Sequence, residues 1–250
     1  MTIPAYLPVY VLGCSIVIVV ALLIGLSRAL ERAAWEKAQR ARVMRTASFV
    51  LVGWFLAAVV LAWLEIYRGA PDRWPTIQYG IFIPIVFGLV GIARSATVAR
   101  ILDAVPQPWI VGVQLYRALG VIFIVLYASG RLPGLFAWPA GAGDVAVGLL
   151  APLVAFACAR SAAQSHRAVA VWNIVGIADL AVAVAAGFLT SPSPLQLFAL
   201  DTPNELISSF PLVMIPIFLV PLSILLHTAS LVKLHRERVG TSQGSHMATA

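Results

Sequence analysis

The stretch Phe210–His227, FPLVMIPIFLVPLSILLH, carries no charge before its terminal histidine, yet sets Pro211, Pro216 and Pro221 at five-residue intervals. Its length is close to the roughly 20 apolar residues that cross a bilayer as a helix. Each proline lacks a backbone N–H and crowds the turn before it. The stretch therefore reads as a membrane-crossing helix that must bend or break. Just upstream, Thr202, Pro203 and Glu205 form T-P-x-E, the pattern of a capping box with proline at the first helical position. That pattern predicts a helix starting near Pro203. Continued to His235, it would measure roughly 50 Å at about 1.5 Å per residue, against a hydrocarbon core of about 30 Å. The three prolines are the helix-break candidates. Pro211 is expected to bend an outer turn into the bilayer. Pro216 and Pro221 are expected to kink the span and free the carbonyls of Leu212 and Ile217.

Comparable apolar runs recur along the chain at 5–27, 46–67, 77–93, 109–129, 133–157 and 168–190, and the proline run itself extends over 207–232. With 61% hydrophobic and 11% charged residues and a mean hydropathy of +0.94, the chain holds more apolar surface than a water-soluble domain of 250 residues can bury. The expected fold is an all-α polytopic membrane protein, a bundle of about seven transmembrane helices. It forms one domain over 1–238, followed by a flexible C-terminal tail over 239–250.

The net charge of +7 is explained by where the cations fall. Arg28, Arg32, Lys37, Arg40, Arg42 and Arg45 lie around the first connection. Arg94 and Arg100 lie around the third, Arg160 and Arg167 around the fifth, and Lys233, Arg236 and Arg238 at the end of the last run. The alternate connections hold only Arg68, Arg73 and Arg131. This is the positive-inside pattern. It places the N-terminus outside and the C-terminus in the cytoplasm, and it removes the nucleic-acid reading of the charge. Tyr6, Tyr10, Tyr67, Trp74, Tyr79, Tyr127 and Trp138 collect near the expected outer ends as an aromatic belt. Preference for Ala, Val and Arg over Lys fits a GC-rich bacterial genome, hence the cell inner membrane. Cys14 falls within a span and Cys158 at the end of one, so no disulfide framework is implied.

Two segments at the basic end carry local signals. RALERAAWEKAQRARVMR is expected to be helical at the membrane surface, with Glu36 and Arg40 paired at i, i+4. RSATVARILDAVPQP reads as a short interfacial helix ended by Pro106 and Pro108. Glu65, beside Arg68 at the outer end of the second run, reads as an interfacial residue.

Six polar side chains fall deep within the runs: Gln114, Arg117, Asp144, Asn173, Asp179 and His227. Ionisable groups at that depth cost at least about 2.5 kcal/mol each unless paired or hydrated, which makes them functional-site candidates. GAGDVAVG (Gly141–Gly148) and GIADLAVA (Gly176–Ala183) share the pattern G-x-small-D-aliphatic-A-V-small. Helical spacing places Gly141, Asp144, Gly148 and Ala151 on one face, and Gly176, Asp179, Ala183 and Ala186 on another. Small residues allow close helix approach. The two aspartates are therefore expected to meet across an antiparallel contact, with Arg117 as counter-ion and Gln114 orienting it. Asn173 and His227 sit at similar depth and are expected to touch.

Three functional readings follow. The leading one is a proton- or cation-linked small-solute transporter or permease, with Arg117, Asp144, Asp179, His227, Asn173 and Gln114 as transport or proton-relay residues. The alternative is an accessory, assembly or sensory membrane subunit whose polar core is only structural. The second alternative is an intramembrane metal-dependent enzyme, with Asp144, Asp179 and His227 as an O, O, N ligand set. No catalytic residue and no organic cofactor are expected, and a bound cation is the one small ligand the charges suggest. The expected partners are the lipid bilayer and a small solute or ion, with a homo-oligomer or a membrane partner subunit compatible and nucleic acid not. A retinal photoreceptor is excluded, because Lys37 and Lys233 both lie outside the membrane centre.

Overall fold

The computed structural model describes residues 3–247. Among them there is no strand; the chain folds into helices α1 (Leu7–Arg32), α2 (Lys37–Trp63), α3 (Ile77–Arg94), α4 (Ala96–Ala104), α5 (Gln107–Gly112), α6 (Val121–Ala128), α7 (Gly134–Arg160), α8 (Ala162–Thr190) and α9 (Val220–Met247). Seven segments are long and apolar enough to cross a membrane: α1, α2, α3, the run Gln107–Ala128, α7, α8 and the run Ile215–Arg238. Their outer faces carry large apolar side chains, such as Val9, Phe49, Phe87 and Leu153, exposed as a lipid-facing surface would be.

Two of the seven are not regular helices. Between α5 and α6 the chain tightens into a 3-10 stretch, Val113–Gly120. At about three residues per turn, side chains three apart eclipse one another. Gln114, Arg117 and Gly120 consequently form one buried line, where an α-helix would fan them around its surface. This stretch packs chiefly on α7, and α7 accepts it because Gly148 has no side chain. A Cβ there would overlap the Ala118 nitrogen and stand 3.0 Å from the Arg117 carbonyl carbon. Backbone cannot rotate aside as a side chain can. Gly148→Ala is therefore expected to lower stability by about 1–3 kcal/mol, the usual range for overpacking, read as a lower unfolding midpoint in detergent.

The last span begins with a π turn, Ile215–Leu219, before α9. This corrects the expected start near Pro203. Thr202 caps nothing; residues 203–205 are irregular, Leu206–Ser208 make one 3-10 turn, and the Phe210–Pro211 bond is cis. The apolar side chains decide this. Leu206, Ile207, Leu212, Val213 and Met214 are all buried, which a straight helix projecting from the bundle would not allow. Pro216 lies in the first turn of the span, where its missing N–H has no partner to lose. Pro221 is the second residue of α9, in its first turn after the π turn. The expected pair of mid-span kinks is thus a late start and one irregular turn, and the Leu212 carbonyl is not free but accepts from Ile215 N–H at 3.0 Å.

The segment between α8 and the π turn folds back over the bundle. Asn204 N–H bonds Thr190 O at 2.9 Å, Gly69 N–H bonds Ser208 Oγ at 3.1 Å, and Phe210 N–H bonds Glu65 Oε1 at 3.2 Å. Glu65 is therefore a clasp on this segment as well as a neighbour of Arg68. At the basic end, α1 and α2 are joined by a tight turn instead of a surface helix, and Arg40 pairs with Glu31 at 3.2 Å, not with Glu36. The short helix expected over RSATVARILDAVPQP is α4, capped by Ser95 Oγ accepting from Val98 N–H. Of the aromatic residues expected to form a belt, Tyr67 is buried, and Tyr10 turns its hydroxyl to Leu119 O at 2.6 Å. Positions 248–250 of the tail lie outside the described residues.

Candidate functional site

Arg117 is 3% exposed and uses all three guanidinium nitrogens. Nε donates to Asp144 Oδ1 at 2.8 Å, and Nη2 lies 2.7 Å from the same oxygen. Nη2 donates also to Asp179 Oδ2. Nη1 donates to the Gly176 carbonyl at 3.2 Å and to His227 Nε2 at 3.1 Å. One guanidinium thus joins the 3-10 stretch to α7, α8 and α9. An arginine fork suits this task, because its donors are fixed in a plane and its charge is permanent.

The aspartates meet through Arg117 and not face to face as expected. Gly141 and Gly148, on the small stripe of α7, face Ile124, Gly120 and the Arg117–Ala118 backbone. Asp179 instead reaches over Gly143, where any Cβ would overlap its Oδ1. On α8, Gly176 opens the space in which His227 and Arg117 sit. Both carboxylates keep one oxygen free: among the described residues, neither Asp144 Oδ2 nor Asp179 Oδ1 accepts a hydrogen bond.

His227 is fully buried and faces the cluster. An arginine can only donate, so His227 Nε2 accepts and its hydrogen is on Nδ1. That hydrogen goes to Asn173 Oδ1 at 2.9 Å. The Asn173 amide then donates to Val169 O at 2.7 Å and to Ser230 Oγ at 2.8 Å. Ser230 Oγ receives a second donor, Gln107 Nε2, at 2.7 Å. Trp172 closes the side of the imidazole, with ring centroids 4.8 Å apart, and anchors its own N–H on Val147 O. One turn further along α9, the buried Lys233 donates to Leu102 O at 2.9 Å and pairs with Glu237 at 3.1 Å, a cation at the carbonyl end of α4.

Gln114 shares the Arg117 face but does not orient it. Its amide is fully buried, and neither side-chain atom has a hydrogen-bond partner among the described residues. His227 Nε2 and one oxygen of each carboxylate are turned on Arg117, and among the described residues no group of three or more acidic, His or Cys side chains has metal-binding geometry.

Two clefts reach the cluster. The larger, about 680 Å³, runs from the end bearing residues 67–75 and 191–208 down to Asp144, between aromatic walls that include Phe123 and Phe136. The smaller, about 440 Å³, lies beside Tyr10, Cys14, Tyr116 and Ser223, and reaches Arg117 and Asp144. Asp144, Leu180, Ile215 and Val220 line both. The residues that sequence reading passed over are Gly120 and Gly143, which give the carboxylates room, and Ser230 and Gln107, which extend the network. Ser230 stands three residues after His227, a spacing that could have marked it.

The model of a family described as "Domain of unknown function (DUF8737)" matches residues 74–235. All six polar candidates, five of them buried and Asp179 half-buried, fall inside that stretch, and α1 and α2 fall outside it. No curated protein and no solved structure matches the chain.

Proposed function

We propose, for a chain that belongs to the DUF8737 family, that it is a proton- or cation-linked carrier of a small solute, set in a bacterial inner membrane with its basic end in the cytoplasm. One observation carries this reading: Asp144 is held to Arg117 through a single oxygen, and the residue lines both clefts where they meet. Glue between helices needs no carboxylate oxygen left open beside empty space. The charge count supports the same view, since one guanidinium faces two carboxylates. With both ionised, the cluster is short of one positive charge, which a proton or a cation on Asp144 or Asp179 supplies. Arg117 holds the pair together. His227 and Asn173 hold Arg117, and irregular backbone at membrane depth beside a cavity is a common feature of carrier sites.

Asn173 limits what the network can relay. A carboxamide does not pass a proton along as a carboxyl does, so the His227–Asn173–Ser230 line positions Arg117 and does not conduct. Proton exchange belongs to the carboxylates.

In proteoliposomes, the wild-type chain is expected to move protons or a monovalent cation down an imposed gradient. Asp144→Asn keeps the shape and the Arg117 contact while removing the charge, and is expected to abolish that flux with an unchanged elution profile. A wild-type chain that moves nothing under any proton or cation gradient overturns the proposal. The accessory-subunit reading is favoured by a different observation, the saturation of all three Arg117 nitrogens. It requires Asp144→Asn to leave every activity of the assembled complex intact.

A further inference from the structure

Helices α2 and α3 are joined by residues 64–76, yet they barely touch. The first leans on α1 and the π turn, the second on α9 and the π turn. Between them runs a groove of about 800 Å³ on the outer surface, with Ala58, Tyr67 and Ile217 as its floor. Its walls, Leu61, Tyr79 and Ile83, are exposed apolar side chains. At the mouth, sharing Ile66 and Thr76 with the groove, lies a hollow of about 820 Å³ lined by Glu65, Arg68, Arg73 and Trp74.

The charges of that hollow do not balance. Among the described residues the Arg73 side chain has no hydrogen bond or ion pair. Arg68 is largely exposed and held only by a 3.7 Å contact with Glu65. Glu65 meanwhile accepts from Phe210 N–H through its other oxygen. Two arginines therefore share one carboxylate that is already engaged. The usual fate of exposed arginines is solvation, but these two stand directly above an apolar channel at a helix end, with Trp74 beside them. That is the headgroup level of a bilayer.

We propose that the α2–α3 groove and its arginine mouth bind one phospholipid of net negative charge. Its phosphate sits between Arg68 and Arg73, and one acyl chain lies along the groove over Ile217. Arginine forks bind phosphate oxygens well. A zwitterionic headgroup would bring its own cation against two guanidinium groups that have one carboxylate between them, so the site selects for anionic lipid. The proposal is independent of the carrier reading, because no residue of the Arg117 cluster takes part.

The test is native mass spectrometry of the full chain in detergent with equimolar phosphatidylglycerol and phosphatidylcholine. The phosphatidylglycerol adduct should dominate, with a preference of about fivefold for each arginine engaged. R68Q/R73Q should equalise the two adducts. R73Q alone should give an intermediate preference; because its side chain holds nothing else in place, folding is not at risk. Ala57→Trp, which fills the groove, should lower both adducts, and R131Q, at the same end but away from the groove, should change neither. Equal adducts on the wild-type chain, or a preference that survives R68Q/R73Q, overturns the proposal.

Discussion

Arg117→Leu is expected to be the most damaging single substitution in the chain, giving a broad, aggregated elution profile and loss of a cooperative unfolding transition. The substitution leaves Asp144 and Asp179 without the cation they share. Removing one partner of a buried ion pair costs about 3–5 kcal/mol, because the remaining charge has lost its compensation. His227 Nε2 also loses its donor, a further penalty of about 1–3 kcal/mol. Against a typical total stability of about 5–15 kcal/mol, the sum removes most of the folding free energy. Arg117→Lys keeps the charge but not the planar fork, so it can reach some of the four partners and not all. It should fall between wild type and leucine. Combining Arg117→Leu with Asp144→Asn and Asp179→Asn should recover part of the loss, since groups in one network are not additive. A leucine variant that melts within a degree or two of wild type would mean that the cluster does not hold the bundle together.

The number of spans is legible in the sequence because it rests on length and hydropathy, which the bilayer enforces residue by residue. All seven runs reappear as candidate spans. Position within a span is legible for the same reason: a polar residue in a run such as 109–129 can be placed along that span without any knowledge of packing. That brought Arg117, Asp144, Asp179, Asn173 and His227 to one list, and four hydrogen bonds from Arg117 plus one from His227 to Asn173 bring them to one place.

Facing was less legible, because it depends on local helix type. The pairing of the two small stripes assumes α-helical spacing throughout, and the 3-10 stretch breaks that assumption at Gln114–Gly120. It inserts itself against α7, so the Gly141–Gly148 stripe serves that contact while Asp179 crosses at Gly143. The capping pattern at Thr202 failed for a related reason. A cap is a local signal worth about 1 kcal/mol, and burial of Leu206, Ile207 and Leu212 to Met214 outweighs it. Full burial of one such side chain contributes about 1.5–3 kcal/mol. Local signals predict well where tertiary packing agrees with them, as at Ser95 and α4, whose Leu102 is buried against the bundle, and poorly where an apolar segment has a cavity to fill.

The triple variant Arg117→Met, Asp144→Ala, Asp179→Ala separates the two functions a buried ionic cluster can serve. As glue, the cluster is replaceable: apolar substitution of a whole buried ion pair or triad is often neutral, or stabilising by about 1–4 kcal/mol, because desolvation of the ions is no longer required. His227 Nε2 would still be left without a donor, at about 1–3 kcal/mol, so a midpoint close to wild type is expected. Methionine fills the space of the arginine stem without forcing a rotamer, and alanine fits the glycine-lined room around both former carboxylates. The variant should therefore fold and elute as wild type does. Its flux in proteoliposomes should be zero, because no titratable or cation-binding oxygen remains where the clefts meet. A folded triple variant that still transports would move the pathway away from Asp144 and leave the cluster as scaffolding. An unfolded triple variant, beside a folded Arg117→Lys, would instead mean that the charges contribute more to the fold than apolar packing can replace.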